Sequence, residues 1–176
     1  MYIDGFCAAP HDLKKGVFAL LSRRDDNTVT RAMPIWGSKY GVWPASYVAL
    51  TCLCTYRFTD DSRLLDWAAA VGRGYLDEPF PADVAVPAMD AGLALGLLAD
   101  LCDITGKTVW MDGANELSGK LLDIYFDDAP LPRGAAGIDW YESQMGPGFL
   151  LHGLARTALL AEDRVHCPLM ADYTAR

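Results

Sequence analysis

The amino-acid sequence predicts an all-α domain built from repeated αα-hairpins. Three observations carry that expectation. Two long segments are apolar nearly all round, an amphipathic segment follows each, and the pair recurs at a regular offset. A helix apolar on every side has to be buried, and an amphipathic helix can shield it from water.

The first buried helix is expected from about Pro44 to Phe58. Ala45, Val48, Ala49, Cys52, Leu53 and Tyr56 fall at helical spacing, and Tyr47, Leu50 and Cys54 fill the other side. Thr59-Asp60-Asp61-Ser62 then supplies turn and N-cap chemistry. The amphipathic partner runs from about Ser62 to Leu76, with Leu64, Leu65, Ala68, Val71 and Tyr75 in one stripe and Arg63, Asp66 and Arg73 left polar. Pro79 and Pro81 break the chain. A second, leucine-rich buried helix spans about Pro87 to Ile104, and Thr105-Gly106 turns it into an amphipathic helix from Lys107 to about Phe126.

The two hairpins align at an offset of 46 residues, with Thr59 on Thr105, Leu65 on Met111, Ala68 on Ala114 and Leu76 on Leu122. A third copy starts at Met145, where Met145-Gly146-Pro147-Gly148-Phe149 lies over Met89-Asp90-Ala91-Gly92-Leu93 at an offset of 56. This helix ends near Glu162, and its amphipathic partner is absent or degenerate, because Arg164 to Arg176 is short and broken by Pro168. The helices beginning near Pro44, Pro87 and Pro147 are expected to be the most buried. One such hairpin cannot bury its own apolar face. The reading is therefore a single domain over residues 1–176, stacked as part of an α/α toroid.

The N-terminal stretch fits two forms. Leu13, Val17, Leu20 and Leu21 make a helix face; equally, Gly16–Ser22 and Thr28–Met33 make a short β-hairpin turned at Arg24-Asp25-Asp26-Asn27.

Composition narrows the function. The net charge of −8 repels phosphate backbones, so a nucleic-acid partner is not expected. No segment reaches about 18 apolar residues and no basic cluster is present, which argues against a membrane. The N-terminus has no basic region followed by an apolar run, so the chain reads as cytoplasmic. The five cysteines read as free thiols, and Cys52 and Cys54 lie on different helix faces rather than as a metal pair. No phosphate loop, dinucleotide fingerprint or His-Glu-x-x-His occurs, and no cofactor or metal is expected.

Met89-Asp90-Ala91-Gly92-Leu93-Ala94-Leu95, with Asp103-Ile104-Thr105-Gly106 and Trp110-Met111-Asp112-Gly113-Ala114 after it, resembles a repeat of the six-hairpin glycosidase superfamily. The likeness is one of repeat pattern, over roughly residues 34–162. It implies an (α/α)6 toroid and the chemistry of glycoside hydrolases, unsaturated-uronyl hydrolases or sugar epimerases. This chain supplies about three hairpins. Half a ring completed by a second copy, an open fragment of a ring, and a piece of a longer protein all remain open.

The repeat also locates a site. Three loops lead into the three buried helices and gather at one end. Met33–Trp43 holds Trp36, Lys39, Tyr40 and Trp43; Pro79–Asp90 holds Phe80, Asp83 and Asp90; Ala129–Gly146 holds Arg133, Asp139, Trp140, Tyr141, Glu142 and Gln144. Long loops on a rigid scaffold commonly carry function. Flat aromatic faces beside carboxylates suit sugars. Asp139 and Glu142 are the expected acid/base pair, since glycoside hydrolysis uses two carboxyl groups ~5–9.5 Å apart; solvated acids or helix caps are the alternative. The resemblance implies an acid/base role for Asp90, with helix capping as the alternative. Trp36, Tyr40, Trp43, Arg133, Trp140, Tyr141, Gln144 and His152 are the expected substrate contacts, His152 alternatively being a hydrogen-bonded core residue.

The expected function is acid/base chemistry on a saccharide or uronide. A non-catalytic sugar- or peptide-binding module and an assembly protein are the competing readings. An arc of three hairpins leaves apolar flanks, so a homo-oligomer, most simply a dimer, is expected.

Overall fold

The computed structural model describes residues 2–39, 42–127, 129–162 and 169. In chain order come α1 (Tyr2–Cys7), β1 (Ala19–Ser22), β2 (Val29–Ala32), α2 (Ala45–Thr59), α3 (Ser62–Asp77), α4 (Ala88–Thr105), α5 (Thr108–Tyr125), a 3₁₀ turn (Ser143–Met145) and α6 (Pro147–Ala161). The degenerate third partner expected over 164–176 lies outside the described residues, Leu169 apart.

Helix ends follow local chemistry. Pro44 and Pro87 precede α2 and α4 in extended conformation, and Pro147 opens α6 at its first turn. These are positions where a proline's missing N–H leaves no intrahelical bond unmade. The Asp61 carboxylate caps α3, accepting from the Arg63 N–H at 3.1 Å. Helices α2 and α4 stop at equivalent repeat positions in left-handed conformation, Asp60 at φ 54° and Gly106 at φ 66°.

The N-terminal stretch is the β-hairpin. The left-handed Gly16 (φ 66°) interrupts any helix over Leu13–Leu21. Strands β1 and β2 pair antiparallel, Ala19 with Ala32 and Ser22 with Val29. The hairpin and α1 cap one flank of the helices: Phe18, Phe6 and His11 surround the Trp67 ring at 5.1, 5.3 and 5.5 Å.

Helix α4 is the centre. It packs on α6 most closely, then on its hairpin partner α5, then on α2 and α3, while α2 pairs with α3. Thirteen of its 18 residues are buried. Each of its five leucines is fully enclosed, worth about 1.5–3 kcal/mol apiece against exposure. The crossing with α6 depends on two glycines. A Cβ on Gly92 would stand 2.1 Å from the Phe149 carbonyl carbon, and one on Gly153 would stand 2.6 Å from the Gly92 carbonyl oxygen. Backbone meets backbone there, so no flexible side chain can yield.

Burial does not rank the helices as the pattern predicts. Helix α3 buries seven of 16 residues and α2 six of 15, while α6 buries five of 15. The reason is the flanks. The hairpin and α1 cover α3 on one side. On α6, Gly148, Leu151, Ala155 and Ala158 stay exposed along one stripe. Among the described residues, α4 packs on α2, α3, α5 and α6 together.

Candidate functional site

The three loops do meet at the N-terminal end of α4, and hydrogen bonds lock them together. The first loop is tied to α4 by Asp90, whose two carboxylate oxygens accept from the Ser38 N–H at 2.7 Å and from its hydroxyl at 2.6 Å. Gly37 lies against Val84 of the second loop, where a Cβ would come within 2.7 Å of the valine Cγ1. The second and third loops pair as a short antiparallel bridge, with the Ala88 N–H donating to the Gly134 carbonyl and the Ala136 N–H to Val86. The Tyr125 hydroxyl donates to the Val86 carbonyl at 2.7 Å, and Gly146 sits against Met89. These contacts hold the three loops to one another and to α4.

Asp90 is wholly buried. Desolvation raises its carboxyl above the usual carboxylate range, while the Ser38 hydrogen bonds and the Gly37 backbone pull the other way. It sits in the first turn of α4, where the helix dipole favours negative charge. Its hydrogen bonds make it the post on which the first loop hangs.

The other two candidate acids are engaged as well. Asp139, 88% exposed at its side chain, lies 3.3 Å from the Arg133 guanidinium, which also reaches Asp127 at 3.1 Å. Glu142 caps the 3₁₀ turn, accepting from the Gln144 N–H at 3.1 Å, and its Cβ crowds Gly134. Glu142 therefore has the capping role given above as the alternative, while Asp139 is ion-paired on the surface. Glu142 holds the third loop in shape.

The aromatic candidates are spread over this end. Trp140 and Tyr141 stand out from the third loop, 61% and 47% exposed, and Trp43 is 49% exposed with its ring stacked on Tyr47 at 4.5 Å. Trp36 is turned instead toward the outer helices, packed edge-on against Tyr75 at 4.7 Å and tilted against Phe80 at 4.9 Å. Its indole N–H is buried with no acceptor among the described residues. Tyr40 lies outside the described residues. Gln144 is exposed on the 3₁₀ turn.

His152 belongs to a different neighbourhood. It is half-buried on α6; desolvation and then the nearby Arg156 charge lower its pKa, with Asp100 opposing. Those two residues form a buried ionic cluster toward the C-terminal ends of α2, α4 and α6. The Arg156 guanidinium lies 2.5 Å from Asp100 and 3.4 Å from Asp103; Arg57 of α2 reaches Asp100 at 3.2 Å. Arg156 also donates to the Leu169 carbonyl. Asp100 and Arg156 are each only 1% exposed. The sequence reading missed this cluster, although a signal was present: an aspartate inside Leu97-Leu98-Ala99-Asp100-Leu101 cannot be buried unpartnered.

Among the described residues, no group of three His, Cys, Asp or Glu is placed to hold a metal ion, and no helix is long and apolar enough to cross a membrane. Compared with protein-family models, with curated proteins and with solved structures, the chain gives no match.

Proposed function

We propose that the loop face binds a saccharide or uronide, as a sugar-binding helical module of the six-hairpin type. The observation that carries this reading is the exposure of Trp43, Trp140 and Tyr141 on a locked loop surface, next to the Arg133–Asp139 pair. Exposed rings offer stacking faces for sugar C–H groups, and the exposed Asp139 carboxylate offers an acceptor to sugar hydroxyls. Titration with neutral and uronate-bearing oligosaccharides, followed by tryptophan fluorescence, tests it. Saturable binding that weakens in Trp140→Ala is the expected result; no response to any saccharide overturns it.

Acid/base chemistry is the second reading, and Asp90 favours it, because a buried carboxyl with a raised pKa is poised as a general acid. Release of reducing ends that survives Asp139→Asn and Glu142→Gln but not Asp90→Asn would support it. Cys7, Cys52 and Cys102 are free thiols, which fits a cytoplasmic protein. A second copy of the chain is the partner proposed for the exposed apolar stripe of α6, since α4 shows that an inner helix of this repeat accepts a neighbour on each side. A clean monomer by light scattering at micromolar concentration would count against it.

A further inference from the structure

A cleft lies on the outer side of the helices, between α3 and α5, and has no part in the loop-face reading. It opens between the C-terminal end of α3 and the exposed flank of α5, with a volume of about 70 Å³. Trp36, Tyr75 and Phe80 line it. The indole makes angles of 78° with the Tyr75 ring and 60° with the Phe80 ring. Three non-parallel rings form walls rather than a stack. The Tyr75 wall is fixed, because its hydroxyl donates to the Ile35 carbonyl at 2.7 Å.

The rim is acidic. Glu78 is exposed just beyond α3 and has no ion-pair partner among the described residues. Glu116 and Lys120 stand one turn apart on α5 and neutralise each other at 2.7 Å. The rim therefore carries one uncompensated negative charge beside aromatic faces, whose quadrupoles also attract cations. The chain's net charge of −8 raises the local cation concentration further. Glu78 repels an anion. A strongly hydrated inorganic cation has too little to gain from the ring faces to shed its water. A methylated ammonium group is different. It is compact, weakly hydrated and apolar on its outside while carrying a full charge.

We propose that this cleft binds a small organic cation, a methylated ammonium group, with its methyl groups against Trp36 and Phe80 and its charge toward Glu78. The test is a titration with tetramethylammonium chloride, followed through the indole N–H resonance of Trp36, assigned with Trp36→Phe. Its neutral isostere tert-butanol and sodium chloride serve as controls. The expected result is a saturable shift with tetramethylammonium and none with either control. Glu78→Gln, an exposed and isosteric change, should weaken binding about tenfold. Lys120→Gln should tighten it severalfold, because it frees Glu116. Opposite signs at two exposed positions cannot arise from loss of folding. An equal response to tert-butanol, no saturable shift with tetramethylammonium, or an affinity unmoved by both substitutions would overturn the proposal.

Discussion

The two ends of the inner helices are built differently. The N-terminal end carries long loops locked by neutral and singly charged hydrogen bonds, with rings left exposed. The C-terminal end carries tight turns and an ionic cluster of two arginines and two aspartates, of which Arg156 and Asp100 are buried and Asp103 is exposed. At the turn end, charges from α2, α4 and α6 compensate one another and tie the three helices together. At the loop end, carboxylates hold loops in place and leave the aromatic surface outside. The contrast puts the buried charges at one end and, at the other, the exposed rings on which the proposed saccharide would stack.

The largest expected effect tests the turn end. Arg156→Met leaves Asp100 buried with only Arg57 to balance it, and breaking a buried pair this way costs about 3–5 kcal/mol. Urea denaturation reads it directly. A cost near zero would mean that the cluster is hydrated and that the ends do not differ as described.

At the loop end, Asp90→Ala strands the Ser38 N–H and hydroxyl, for about 1–3 kcal/mol. Asp90→Asn should cost less, because an amide can still accept from the Ser38 N–H and can donate to its hydroxyl. The pH dependence sharpens this. The folded pKa of Asp90 is raised above the ordinary 3.8, so the folded state holds the proton more tightly than the unfolded chain. Its contribution to stability is full below that ordinary value and is lost as pH rises through the folded value. The stability of the native protein relative to Asp90→Asn should therefore fall with rising pH across that window. A flat difference would show that Ser38 fully offsets the desolvation.

Smaller effects separate the two hairpin turns and the surface charges. Asp60 occupies the left-handed position that Gly106 fills in the next repeat. Asp60→Gly should stabilise the fold by about 0.5–1 kcal/mol, measured as a shift in denaturation midpoint. Asp139→Asn, at an exposed ion pair, should leave stability unchanged within error. A clear loss there would make the third loop more dependent on its salt bridge than its exposure implies.

Much of this was legible in the sequence. All-round apolarity over Leu93–Leu101 marked α4 as a buried helix, and the 46-residue offset placed equivalent helix ends at Asp60 and Gly106. The prolines at 44, 87 and 147 marked the helix starts to within a residue. What failed has a physical cause. The burial of α2 and α6 depends on flanking elements, and periodicity within a helix does not report its neighbours. The convergence of the loops followed from the repeat, but the partners of Asp139, Glu142 and Asp90 did not. A carboxylate in an acidic, aromatic loop looks the same in sequence whether it faces a ligand or caps a turn. Trp36 was grouped with the loop-face rings because it is near them in sequence; Tyr75 and Phe80 turned it outward.

The most direct test of the division between the two ends is a map of amide chemical shifts during titration with a uronate-bearing oligosaccharide. The account predicts perturbations confined to the loops around Trp43, Asp90 and Trp140, with the amides flanking Arg57, Asp100 and Arg156 unmoved. Shifts concentrated at the turn end, or spread along α3 and α5 with the three loops silent, would contradict it.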